Sequence, residues 1–297
     1  MKHLAGPDGV VRLTKFEKLE VVSKEYDPSH IAVCACLDTE TTGLNPTQDD
    51  IIEIAICVVA FDIRTGVLVD VLDEYASLND PGRPIPPEAS ATHGIYDAHV
   101  KGYKIDWDRV AEILSSVDFV IAFNAGFDCK FVQSAYHKAG IAAPESLWVC
   151  ALNQVKWTDV PARKLEIIAA WNGYWYDAHR AMVDVHMTLK LLDAKCALPN
   201  LYYLADKPTY EVQVTGGPRD EKSLAKLKTP ERRFEWDKTR TMWWRVAATK
   251  EEAVALVRYL DDYYDGRNQC AVREINPKSR YGFINEYGRD MRKEWGV

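Results

Sequence analysis

From Ile31 to Leu37 the chain reads IAVCACL, with no charged or amide side chain, and then meets Asp38, Thr39 and Glu40. A short continuous apolar run predicts a strand buried on both faces. The stretch TGLNPTQDD follows, with Gly43 and Asn45-Pro46 marking a turn. IIEIAICVVAFD (51–62) and GVLVDVLDEYASL (66–78) predict two more strands, and the short IRTG segment between them predicts an antiparallel hairpin. PGRPIPPEASATHGI reads as a proline-rich loop ending in a short helical turn, and DWDRVAEILSSV as a helix with Val110, Ile113, Leu114 and Val117 on one side. DFVIAF predicts a fourth buried strand. NAGFDCKFVQSAYHKAG predicts a helix that Asn124 is placed to cap and Gly140 to end. ARKLEIIAAWNG predicts another, and AHRAMVDVHMTLKLLDAKC a long amphipathic one with Val185, Leu189, Leu192 and Cys196 at helical spacing. The order is that of an α/β fold with a mixed sheet flanked by helices.

The texture changes near Pro199. Prolines and a Gly-Gly-Pro break suit a linker over 199–209, leading to a small α+β domain over 210–297. There YEVQV, RRFEW, MWWRVA and CAVREI predict strands, with DEKSLAKL and KEEAVALVRYLDDYY helical. Residues 1–30 read as an N-terminal extension. The 297 residues, 47% hydrophobic and 27% charged, are those of an ordinary globular protein. No apolar run approaches the roughly 18 residues that cross a bilayer, and the first thirty residues carry no signal-peptide pattern. The seven cysteines are odd in number and form no C-x-x-C pair, so their spacing favours neither a disulfide framework nor a zinc site, and a reducing cytoplasm suits them. A formal net charge of -7 argues against a nucleic-acid partner unless local charge offsets it.

Candidate chemistry lies in the acids. Asp38 and Glu40 stand two apart on a strand and so project from the same face. Two such close carboxylates repel, and a cation between them is the usual remedy. Asp128 follows the DFVIAF strand by one helical turn, and ligand sites of α/β sheets gather at such strand ends. His179 and Asp184 open the long helix, His179 in the preceding loop and Asp184 in the first turns. Each has a plain alternative: the start of a polar loop for Asp38 and Glu40, helix-dipole complementarity for Asp128, an exposed loop histidine for His179. An oxygen-rich donor set without cysteine points to magnesium or manganese rather than zinc.

LDTETTGL, AFNAGFD and HRAMVD resemble, in order and at fitting distances, the three motifs of the DnaQ-like DEDDh family of 3′–5′ exonucleases, over residues 31–198. DPGRPIPPEASATHGI is similar to that family's loop after the third strand. The resemblance implies a ribonuclease-H-like fold and two-metal phosphodiester hydrolysis with two Mg2+ (or Mn2+). Asp38, Glu40 and Asp184 would hold the first metal, Asp38 and Asp128 the second, and His179 would be the general base. The products would be nucleoside 5′-monophosphates. Cations at the site would also answer the objection from net charge. Phe123 stands where the family often has histidine, which bears on a substrate or supporting contact and not on the metal ligands.

The resemblance also places Thr41 and Thr42 backbone groups and Leu44 at the terminal nucleotide, with His93 and Asn124 on the substrate side. A core role for Leu44 and a plain loop role for His93 are the alternatives, and His186 reads as structural. The stretch RRFEWDKTRTMWW resembles a small tail module of some bacterial and phage members. Residues 219–245 carry nine Lys or Arg against five Asp or Glu, a local +4. Arg233, Trp236, Arg240, Trp243 and Arg245 would suit single-stranded nucleic acid by stacking and phosphate contact. The rival is a tryptophan core, and it is favoured for at least one or two of the tryptophans, since Trp243 and Trp244 must face opposite ways. DNA, with single-stranded or frayed 3′ ends, is the expected substrate and RNA ends the alternative. No membrane partner is expected, and association with a polymerase is left open. A non-catalytic nucleic-acid-binding or polymerase-interaction protein on the same fold is the alternative of another class.

Overall fold

The most apolar segment of the chain becomes the middle of a sheet. A computed structural model describes residues 10–22, 25–215, 227, 234–238, 240–263, 269–282 and 291–295. The chain divides into two compact units, Met1–Ala205 and Asp206–Val297.

In the first unit β1 (Thr14–Lys15) precedes β2 (Ile31–Thr41), β3 (Ile51–Asp62) and β4 (Leu68–Leu78). Then come α1 (Pro87–His93), α2 (Asp97–Val100), α3 (Trp107–Ser115), β5 (Phe119–Ala122), α4 (Ala125–Ala139) and β6 (Trp148–Cys150). The unit ends with α5 (Ala151–Gln154), α6 (Leu165–Trp171), β7 (Tyr174–Trp175), α7 (Ala181–Ala194) and α8 (Leu198–Ala205). The main sheet has the order β4-β3-β2-β5-β6. The pairs β2–β3 and β3–β4 are antiparallel, and β2–β5 and β5–β6 are parallel. Every residue of β3 but the last is buried, as its unbroken apolar run requires.

One face of the sheet, carrying Cys34, Cys36, Cys57, Val59, Phe61 and Ile121, packs against α6, α7 and α8. Leu37 and Thr39 alternate to the other face, and α4, with Phe131 and Tyr136 fully buried, covers it and reaches α3 through the Tyr136 hydroxyl, which donates to the Trp107 carbonyl at 2.9 Å. The β3–β4 turn depends on Gly66: its φ is +77°, and a Cβ there would approach Cys196 Cα at 3.0 Å.

Several expectations are corrected. The three-residue β6 and the parallel pair β1–β7 have no counterpart in the sequence reading, being too short to show a period. The N-terminal extension is not separate: Phe16 and Leu19 are buried in the first unit's core. Residues 199–205, expected as linker, form α8, whose Leu198, Leu201 and Leu204 give it a buried face despite Pro199. Asn124 sits at the N-cap of α4 but its side chain makes no capping bond, whereas Gly140 ends the helix in the left-handed conformation as expected. Cys196 is exposed, because α7 stops at Ala194.

In the second unit β8 (Thr209–Thr215), β9 (Glu235–Asp237), β10 (Met242–Ala247) and β11 (Gln269–Ile275) form an antiparallel sheet of order β11-β8-β10-β9. Helices α9 (Lys250–Tyr263) and α10 (Arg292–Trp295) complete it. The expected helix DEKSLAKL lies outside the described residues except for Leu227.

Leu201 is fully buried in the first core, so Leu201→Ala is expected to lower stability by about 2–5 kcal/mol in urea unfolding. A linker residue would leave the midpoint unmoved.

Candidate active site

The strand alternation that puts Cys34 and Cys36 beneath α7 also puts Asp38 and Glu40 there, at the strand's C-terminal end. The first turn of α7 supplies Asp184. The loop before it supplies His179, whose backbone is left-handed (φ +67°) and whose N–H donates to Asp184 Oδ2 at 2.8 Å. Ligand atoms of Glu40, His179 and Asp184 lie within 4.8 Å of one another. Asp128, buried in the first turn of α4, accepts from the Thr39 N–H at 3.1 Å and the Thr39 hydroxyl at 2.8 Å. The end of β2 is thus held between the first turns of two helices.

These carboxylates strain against one another. Burial pushes Asp38 well above the usual carboxylate range, and the charges of Asp128, Asp184, Glu40 and Glu53 push it further. Glu40 is pushed up to about 8 by burial and then by Asp184, Glu53 and Asp128, against the opposing pull of Arg180. Asp128 rises through burial, to about 7, although its Thr39 bonds hold it down. Asp184 rises through burial and is restrained by the Tyr176 hydroxyl and the His179 N–H. An all-oxygen set with mutual repulsion is what a hard divalent cation neutralises.

Residues that the sequence reading passed over hold this arrangement. The buried Tyr176 hydroxyl donates to Asp184 Oδ1 at 2.6 Å. Glu53 stands directly opposite Glu40 in the β2–β3 ladder and turns to α7, accepting from the Ala181 N–H at 3.1 Å and from Arg180 Nη2 at 2.9 Å. Arg180, the N-cap of α7, makes no side-chain cap of its own, so a strand glutamate satisfies the helix terminus. A signal for Glu53 existed: it is the one carboxylate inside IIEIAICVVAF.

The expected substrate-side residues divide. Leu44 is 85% exposed, which removes the core alternative. Thr41 and Thr42 are buried, and their hydroxyls serve the loop, donating to the Gly43 carbonyl at 2.6 Å and to Asp49 Oδ1 at 3.3 Å. His93 is buried rather than a loose loop residue: Nδ1 accepts from the Ile95 N–H, and Nε2 has no partner among the described residues. Burial holds His93 below the usual imidazole range. Asn124 is exposed at the start of α4. In the second unit Trp243 is buried in the core, Arg240 is held by Asp237 and Glu211, and Arg245 pairs with Glu252. These three are therefore not the open contacts expected, because a small domain needs the tryptophan's mass and its carboxylates take the guanidinium groups. Trp236 is 47% exposed and packs against Trp243 with ring centroids 5.4 Å apart and planes tilted by 57°, and Arg233 lies outside the described residues.

Residues 35–192, more than half of the chain, match the model of the RNase_T family, described as exonuclease. The chain belongs to that exonuclease family. Its DnaQ-like motifs accord with this membership. A PolC-type DNA polymerase III of Listeria monocytogenes serovar 1/2a is 31% identical over 179 residues, covering 56% of this chain and 12% of the relative. One of Streptococcus mutans serotype c is 32% identical over 125 residues, 41% of this chain and 8% of the relative. The chain thus spans a small fraction of the length of these relatives. A zinc-bound complex of Escherichia coli exonuclease I with single-stranded DNA superposes with TM-score 0.52 at 14% identity, covering 80% of this chain and 72% of that one, a likeness of fold. Among the described residues no helix is long and apolar enough to cross a membrane.

Two outcomes are expected. Without metal, folded Glu40 and Asp128 keep protons that the unfolded chain releases near pH 4, so their contribution to stability falls as pH rises from about 4 to about 8. Mg2+ or Mn2+ should raise the melting temperature more at pH 8 than at about pH 5.5, and Glu40→Gln should flatten the metal-free pH slope in calorimetry. Glu53→Ala should lower stability by about 1–3 kcal/mol in urea unfolding, mostly through the lost Ala181 bond because exposed Arg180 is screened. Glu53→Gln, which keeps an acceptor, should lose less.

Proposed function

We propose that this protein is a metal-dependent 3′–5′ exonuclease that shortens DNA from its 3′ end and releases nucleoside 5′-monophosphates. The observation that carries this is the convergence of four carboxylates, from β2, α4 and α7, beside an exposed imidazole. Asp38, Glu40 and Asp184 would hold one divalent cation, and Asp38 with Asp128 a second. The donor chemistry fits Mg2+ or Mn2+: the ligands are all carboxylate oxygens, whose proton affinity is raised first by burial and then by their mutual repulsion. Bound there, two such ions supply Lewis acidity to the phosphate and offset charge on the attacking and leaving oxygens.

His179 takes the proton of the attacking water as the water oxygen bonds to phosphorus. The bond from phosphorus to the 3′ oxygen breaks, and that oxygen is reprotonated to leave a new 3′-hydroxyl. The Asp184 bond to the His179 backbone keeps base and metal ligand in step. Exposed Leu44 would lie against the terminal base, beside the Thr41 and Thr42 backbone, and His93, whose buried Nε2 has no partner among the described residues, would be a substrate-side contact. Exposed Asn124 would be a further contact, and exposed Trp236 a stacking platform on the accessory unit. DNA is favoured over RNA because the PolC-type relatives are DNA polymerases by name. Seven free cysteines suit action in the cytoplasm.

The test is a 5′-labelled DNA strand, single or duplex, beside matched RNA, with products resolved at nucleotide spacing. A Mg2+-dependent ladder shortening from the 3′ end is expected, absent with EDTA and in Asp38→Ala. His179→Ala should lower kcat by about 10²–10⁴ while keeping the metal-induced rise in melting temperature. Equal product from Asp38→Ala and the parent would refute the proposal.

A further inference from the structure

A second set of donor atoms lies on the same sheet face, two residues back from the carboxylates. Cys36 pairs directly with Cys57 across β2–β3, and Cys57 pairs directly with Glu74 across β3–β4. Directly opposed residues share a face, so the three form a row across three strands. From above, α7 brings His186 down onto the row: its Nε2 lies 2.6 Å from Glu74 Oε1. The Cys57 sulfur, the Glu74 carboxylate and the His186 ring offer ligand atoms all within 4.8 Å of one another. Cys57 and His186 are buried, and Glu74 opens to solvent.

A hydrogen bond between His186 and Glu74 accounts for two of these groups. The buried Cys57 thiol faces the same carboxylate and hydrogen-bonds to it, so all three groups meet at Glu74. A metal ion answers all three at once, replacing the thiol proton and offsetting the carboxylate.

We propose that Cys57, Glu74 and His186 form a second metal site, for an ion of the zinc class, that fastens α7 to β3 and β4. Sulfur, nitrogen and oxygen donors together suit zinc or cobalt, in contrast to the all-oxygen cluster at the end of β2. Around a tetrahedral ion with bonds of about 2.0–2.3 Å the donors stand roughly 3–4 Å apart, so the His186–Glu74 contact of 2.6 Å would open slightly to admit the ion. The fourth position opens to solvent at the Glu74 end. The two sites are separate, with Glu74 two strand spacings, roughly 10 Å, from β2. The proposal does not depend on the exonuclease reading.

Cobalt tests it, because a cysteine thiolate bound to Co2+ gives a near-ultraviolet charge-transfer band that an all-carboxylate site cannot give. The reduced full chain, titrated with Co2+, is expected to develop this band and to lose it on addition of Zn2+. Cys57→Val, which preserves buried volume, should abolish it, and His186→Gln should abolish or strongly weaken it. Glu74→Ala, at an exposed position that does not threaten folding, should weaken Co2+ affinity by about tenfold. No band in the parent, an undiminished band in Cys57→Val, or unchanged affinity in Glu74→Ala would each overturn the proposal.

Discussion

Like charges forced together at one end of a strand are the constraint around which the first unit is organised. Asp38 and Glu40 point beneath α7, Asp184 descends from it, and Asp128 approaches from α4. Glu53 adds a fifth carboxylate directly across from Glu40. Left alone, such a group would ionise only in part or splay apart. The fold opposes the second outcome by giving three of these five acids a donor: Thr39 for Asp128, Tyr176 and the His179 N–H for Asp184, Arg180 and the Ala181 N–H for Glu53. Asp38 and Glu40 are left for whatever cation the site receives.

The consequence is a division of labour between two layers of residues. Donor-bound acids are fixed in place before any ligand arrives, which is the preorganisation that electrostatic catalysis needs. The buried sheet beneath them, with every residue of β3 but the last removed from water, supplies the rigidity. Two neighbouring patches of one sheet face then present different donor chemistry, carboxylates beside the His179 ring near Asp38, and a thiol, a carboxylate and an imidazole at Cys57, Glu74 and His186. Hard and borderline cations would sort between them by ligand type.

Much of this was legible in the residues. Asp38, Glu40, Asp128, His179 and Asp184 converge as their placement at strand ends and helix starts implied, because period and position determine where such side chains project. What escaped was of two kinds. Short elements such as β6 and the β1–β7 pair lack the length to show a period, and α8 was hidden by the proline that starts it. Contacts between distant segments, such as Tyr176 with Asp184 or Glu53 with Arg180, leave no local spacing to read. The second unit shows the converse hazard: a core place for Trp243 agrees with the favoured reading of the tryptophans, but Arg240 and Arg245 read as open contacts and the domain pairs them internally.

The left-handed backbone at His179 carries its own implication. A residue with a Cβ is held there against a steric cost of about 1–2 kcal/mol that glycine would escape. Relieving that tension with glycine would also remove the imidazole that the proposed reaction uses as its base. The hydrogen bond from the His179 N–H to Asp184 helps to hold the segment in that conformation.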